Sequence, residues 1–259
     1  MTHAHANHGK AEGETAGNAW KDERLVAAFV EQTAAQAEQR RALFDFTCDL
    51  FPFERDAGIR VLDIGAGYGA FAEAVLEYFP NATVVGLDIS EPMIAVGRER
   101  MARFGDRFSY HVGDFAGGEL PPELPGPLDA AVASASILHL QTDQKQWLYA
   151  DVFRILNPGG CFFNVEPVAP ANEEMEGWYR ERRGRQYQRR EDLTAPLAEH
   201  SFMQHHSFES EEAYQAHQRH HHVETEASQL AFLREAGFVR VDCFYKKLLE
   251  AVIGGYKPG

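Results

Sequence analysis

Apolar residues along this chain fall into two alternating patterns. Short, largely apolar runs at 61–64, 84–88, 128–133 and 161–165, with 239–245 and 249–256 near the end, have the length and composition of buried strands. Between them lie stretches with helical spacing, such as Val152 to Leu156 before Pro158-Gly159-Gly160, and 230–236 before Gly237. With a further strand near Tyr110 the count is seven, and the alternation of strand and helix predicts an α/β sheet wound on both faces. Ahead of this core, Leu25, Val26, Phe29 and Val30, then Ala37, Leu43, Phe44 and Phe46, recur at helical intervals. They predict one or two helices within an N-terminal cap, residues 19–56. Residues 1–18 are rich in His, Ala, Gly and Asn with no apolar period, and are expected to be a disordered tail. The core is expected to span 57–168 and 226–259, with 169–225 inserted between its last two parts.

The chemistry concentrates where the first strand ends. Val61-Leu62-Asp63-Ile64 runs into Gly65-Ala66-Gly67-Tyr68-Gly69, and the second strand ends in Asp88, nineteen residues after Gly69. Alternating glycines allow a tight turn that brings backbone close to a ligand. The helix that follows aims its N–H groups and positive dipole end at the same space. A carboxylate at the end of the second strand suits a bidentate grip on ribose hydroxyls. Gly65-x-Gly67-x-x-Ala70 also satisfies the dinucleotide fingerprint, so the glycines alone leave NAD(P) open. Asp63 argues against it: inside the strand, two residues before the first glycine, it would repel a pyrophosphate and welcome an ammonium group.

These features together resemble the class I S-adenosylmethionine-dependent methyltransferases. The likeness extends through Gly113-Asp114-Phe115 at the end of strand three and the Leu156-x-Pro158-Gly159-Gly160 helix stop, covering about 57–257. It implies a seven-stranded, mostly parallel, doubly wound sheet ending in an antiparallel hairpin, with N-terminal helices and a helical lid. It also implies S-adenosyl-L-methionine as cofactor. Asp63 would lie near its amino-acid end, Asp88 would bind its ribose, Asp114 would receive the adenine amino group, and Phe115 would pack on the ring. Gly65, Ala66, Gly67, Gly69, Ile89, Met93, Gly113 and Ser134 complete the expected cofactor set.

Charge and cysteine usage narrow the partners. A net charge of −14 disfavours a large polyanion, because nucleic-acid affinity rests on neutralising phosphates. The place after strand four reads Ser134-Ala135-Ser136-Ile137, not the Asn/Asp-Pro-Pro-aromatic motif that nucleic-acid amino methyltransferases of this family often carry. A small-molecule acceptor is expected. Cys48, Cys161 and Cys243 form no CxxC pair and are read as packing residues. No run reaches the roughly eighteen apolar residues of a membrane span, and no signal-peptide pattern opens the chain, so the cytoplasm is the expected compartment. The oligomeric state is not legible.

The insertion 169–225 is read as a lid over the acceptor pocket, with Trp178, Tyr179, Tyr187, Phe202, Phe208 and Tyr214 able to exclude water. Arg180, Arg182, Arg183, Arg185, Arg189 and Arg190 either clamp an anionic acceptor or pair with the acids around them on a solvated face. Seven histidines between 200 and 222 have some helical pairings suited to zinc, such as His217 with His221. Methyl transfer requires no metal, and none is assigned. Two groups leave the sheet's carboxyl edge as candidate catalytic residues. His139 follows strand four and either takes a proton from the acceptor or is a histidine hydrogen-bonded at a loop start. Glu166 follows strand five and either orients an amine or hydroxyl or satisfies backbone N–H groups. Two alternatives stay open: an enzyme making carboxy-S-adenosylmethionine, which the C-terminal stretch 245–257 resembles, and a protein that binds the cofactor without turnover.

Overall fold

In the computed structural model, residues 20–34, 36–117, 120–124, 126–179, 181 and 221–259 are described. The expected tail, and residues 182–220 of the expected lid with most of its arginines and histidines, lie outside them. Seven strands form one sheet: β1 (Arg60–Ile64), β2 (Thr83–Asp88), β3 (Phe108–Val112), β4 (Leu128–Ser134), β5 (Leu156–Pro167), β6 (Val239–Lys247) and β7 (Glu250–Tyr256). Their order is β3-β2-β1-β4-β5-β7-β6. The first five run parallel, while β7 pairs antiparallel with both β5 and β6. Strand order reverses between β1 and β4, and ligands of open α/β sheets collect at the carboxyl ends of such a pair.

Strand alternation builds a core on each face of the sheet. Val61, Val132 and Phe163 pack with Phe71 and Val75 of helix α3 (Ala70–Tyr78), with Phe79 just after it, and with Phe44 and Phe51. Their chain neighbours Leu62, Ala131 and Phe162 face the other way, onto Leu148 and Val152 of α5 (Thr142–Ile155) and Phe232 and Leu233 of α6 (Glu226–Ala236). Two N-terminal helices, α1 (Glu23–Ala34) and α2 (Ala37–Asp49), precede the sheet, and Phe44 of α2 stacks on Phe71 at 4.3 Å. Helix α4 (Glu91–Met101) follows β2; the Ser90 side chain caps it by accepting from Met93 N–H.

Two boundaries differ from the sequence expectation. Strand five begins at Leu156, not at 161, because Leu156 pairs with Leu128 and the 159–160 backbone bonds to Lys257 and Pro258. The Lys257 ammonium also reaches the carbonyls of Phe153 (2.8 Å) and Leu156 (2.7 Å), so a side chain from the chain's end caps α5. Strand three stops at Val112, and Gly113 N–H then bonds to the Asp88 carbonyl at 3.0 Å. Among the described residues no helix is long and apolar enough to cross a membrane.

Candidate cofactor and acceptor site

The carboxyl ends of β1, β2 and β4 open into a cavity of about 330 Å³. Its floor is the glycine turn. Gly65 and Gly67 take φ of 68° and 54°, which favour glycine, and the Gly65 and Ala66 N–H groups hold the turn to the Leu87 carbonyl. A Cβ on Gly65 would lie 2.2 Å from that of Ser136, so only glycine lets the turn pass beneath the loop after β4.

Two buried carboxylates flank the turn. Asp88 accepts from Gly67 N–H (2.7 Å) through one oxygen and from Ser90 N–H (2.8 Å) through the other. Burial raises its pKa, against the lowering effect of these backbone donors. Asp63 is more deeply placed and accepts from Ala72 N–H at 3.1 Å. Burial pushes its pKa up to about 7; Asp88 adds to the rise, while the Ala72 bond and the Arg40 guanidinium oppose it. A carboxylate with so few donors retains lone pairs for a cation. Beside it, the Ser134 hydroxyl is buried with no hydrogen-bond partner among the described residues, although Ser134 lines the cavity. Ile89, Met93, Asp114 and Phe115 complete this end.

At the other end the chain leaves β4 through Ala135, whose φ of 52° is rare outside glycine. The turn presents His139 to the cavity with Leu140, Gln141 and Gln144. The N-terminal cap supplies a wall: Trp20 has its ring 5.1 Å from Phe29 and 6.2 Å from His139, and Ser90 Oγ donates to its carbonyl at 2.5 Å. His222, just after the undescribed lid, also lines the cavity, and the His221 ring lies 4.9 Å from that of His139.

Residues 61–160 match the family model of a methyltransferase domain. The match places a methyltransferase-like domain at 61–160, less than half of the chain. Over 114 residues it is 35% identical to the ubiquinone/menaquinone biosynthesis C-methyltransferase of Methylobacterium nodulans, a match covering 43% of each protein. Over 107 residues it is 32% identical to the sterol 24-C-methyltransferase of Yarrowia lipolytica, covering 40% of this chain and 26% of the relative. The matched stretch is thus less than half the length of either relative. The structure of human N-acetylserotonin methyltransferase in complex with SAM superposes with a TM-score of 0.58 at 17% identity, over 96% of this chain and 61% of that one. That likeness is one of fold.

Within this domain most of the residues singled out in the sequence meet at one cavity: Asp63, Gly65, Ala66, Gly67, Asp88, Ile89, Met93, Asp114, Phe115, Ser134 and His139. Three have other places. Gly69, at φ 84°, is the N-cap of α3, and a Cβ there would meet the Met101 side chain at 2.9 Å. A Cβ on Gly113 would meet Pro121 at 2.8 Å. Both shape the walls without lining the cavity. Glu166 is the larger correction. It is buried behind the turn, where Leu138 N–H (3.0 Å) and the Gln229 amide (2.7 Å) donate to its two oxygens. It therefore does not face an acceptor directly, and satisfies a backbone N–H as the second of its two sequence readings has it.

Arg40 was not legible. It sits in α2 between polar neighbours, lines the cavity, and donates to the Tyr68 hydroxyl at 2.8 Å. No local motif marks it, because its nearness to Asp63 arises only when α2 packs on α3. Among the described residues no three His, Cys, Asp or Glu side chains gather as a metal site. Cys48 and Cys161 are buried with raised pKa values caused by burial, as suits packing residues.

Proposed function

We propose that this chain is an S-adenosylmethionine-dependent methyltransferase acting on a small-molecule acceptor. The observation that carries this reading is a buried, sparsely hydrogen-bonded carboxylate, Asp63, beside a glycine turn that Asp88 closes. The residues present fit the cofactor. Asp63 has capacity for the ammonium, and the unpartnered Ser134 hydroxyl lies at the same end. Asp88 has lone pairs left for ribose hydroxyls, while Asp114 and Phe115 suit the adenine edge and face. Arg40, a cation lining the same cavity as Asp63, suits the carboxylate of the amino-acid part.

When bound, the cofactor supplies a methyl group on a sulfonium centre, which needs no further activation. The chain's own contribution is then placement and dryness. Trp20 and Phe29 exclude water at the mouth, and a dry site strengthens each electrostatic contact. His139 stands where it can take the proton of a hydroxyl or ammonium acceptor. Gln141 and Gln144 offer amides to orient that acceptor. The net charge of −14 favours a small molecule over nucleic acid.

Calorimetric titration of protein freed of carried-over ligand tests the reading. Micromolar affinity for S-adenosylmethionine and S-adenosylhomocysteine, with none for NAD⁺, is expected; binding of NAD⁺ alone would overturn it. Formation of S-adenosylhomocysteine with members of a panel of phenols, amines and carboxylates then separates an enzyme from a binding protein. Arg40→Met should weaken S-adenosylhomocysteine about 10-fold, the worth of one charge-assisted contact. Methylthioadenosine, which lacks the amino-acid part, should keep its affinity. Equal losses for both ligands would mean that Arg40 only supports the fold.

A further inference from the structure

Behind the turn that carries His139 lies a buried polar cluster which the proposed methyl transfer does not use. Lys145 of α5 has no exposed surface, a costly place for an ammonium unless it is paired. Its Nζ donates to the carbonyl of His222 and lies 3.9 Å from the Glu224 carboxylate. Glu224 also accepts from Thr142 Oγ at 2.6 Å, and its backbone carbonyl accepts from Ala169 N–H at 2.7 Å. His222 N–H in turn donates to the Leu138 carbonyl at 2.8 Å. Leu138 N–H is held from the other side by Glu166, whose second oxygen is held by Gln229; the Gln229 oxygen accepts from the Tyr149 hydroxyl.

The links from Lys145, Glu224 and Glu166 meet at two short segments: the turn 137–141, and the stretch of backbone 221–225. Both segments line the same end of the cavity, through His139, Gln141 and His222. The turn buries Ile137, Leu138 and Leu140 in the core, whereas 221–225 are only half-buried. The turn is a single 3₁₀ turn of three residues, and 221–225 has no helix or ladder beyond one isolated bridge, Ala169 with Thr225. The placement of 221–225 against the turn therefore rests on the buried polar groups.

We propose that Lys145 and Glu166 are positioning residues that clamp the 221–225 segment onto the His139 turn, setting the acceptor end of the cavity while leaving the cofactor end untouched. This rests on the methyltransferase reading for the word acceptor, but not for the clamp itself. Glu224 lies 3.9 Å from the ammonium and Glu166 holds Leu138 N–H, so removing Lys145 releases 221–225 and removing Glu166 loosens the turn. Gln at 166 keeps the clamp: its oxygen can accept from Leu138 N–H, and a flip of the Gln229 amide restores the bond between them.

Hydrogen exchange read by mass spectrometry tests this without a known acceptor, on the full chain, with S-adenosylhomocysteine titrated into the same samples. Lys145→Met and Glu166→Ala should each speed exchange at least 10-fold in peptides covering 136–141 and 221–225. Exchange in β1 and β2 should not change, and affinity for S-adenosylhomocysteine should stay within twofold. Glu166→Gln should return both segments to the wild-type rate. Should Lys145→Met fail to fold, the contrast between Glu166→Ala and Glu166→Gln still decides. Unchanged exchange in the two segments, equal speeding in β1 and β2, or a Glu166→Gln protein as loose as Glu166→Ala would each overturn the clamp. Failure of the unsubstituted protein to bind S-adenosylhomocysteine would instead overturn the cofactor reading, and the exchange comparison would still decide whether the clamp exists.

Discussion

Replacing Asp88 with Ala is expected to weaken binding of S-adenosylmethionine and S-adenosylhomocysteine by 100-fold or more. Two hydroxyls of one ribose donating to a carboxylate are worth about 1.5–3 kcal/mol each, and about 1.4 kcal/mol corresponds to a tenfold change. The same substitution leaves Gly67 N–H and Ser90 N–H without their present acceptor, loosening the turn and the start of α4. Asp88→Asn keeps one acceptor and should fall between the two proteins. Calorimetric titration of the three with S-adenosylhomocysteine checks the ranking, with thermal unfolding to confirm that all are folded. Unchanged affinity in the alanine protein would remove the ribose assignment.

Cofactor affinity is also expected to rise as pH is raised through about 7, because of Asp63. Burial holds its carboxyl at about 7 in the free protein, so below that pH the group is largely protonated. A ligand ammonium favours the ionised form, and binding at pH 6 should therefore expel close to one proton. Above roughly pH 8 the release should vanish and affinity should level off. The sign for stability is opposite. A carboxyl raised above its ordinary value of 3.8 contributes stability to the ligand-free fold below that value, and loses it as pH rises through about 7. Titrations in buffers of different ionisation enthalpy at pH 6 and 8 measure the proton count. Asp63→Asn should abolish both the release and the pH dependence; a release that survives in that protein would place the titrating group elsewhere.

Much of this architecture is legible in one dimension because its signals are local. A strand buried on both faces must be continuously apolar, so 61–64 and 161–165 stand out, and a turn that needs positive φ beneath Ser136 must use glycine. A carboxylate at a strand end, as Asp88, or inside an apolar strand, as Asp63, costs too much to be incidental. These constraints act within a few residues, and they suffice for the cofactor end. Glu166 shows where the method fails. Its position at a strand end suggested two roles, and only the approach of Leu138 and Gln229, 28 and 63 residues away, selects between them.

By itself the sequence determined the order of strands and helices, the glycine turn, its two acids and His139 as a cavity residue, since each follows from periodicity or from backbone stereochemistry. Tertiary structure alone decided that Arg40 lines the same cavity as Asp63, that Glu166 turns inward and that Lys145 is buried beneath His222. Those outcomes depend on how separate elements pack together. Packing is a property of the whole fold, and no run of neighbouring residues encodes it.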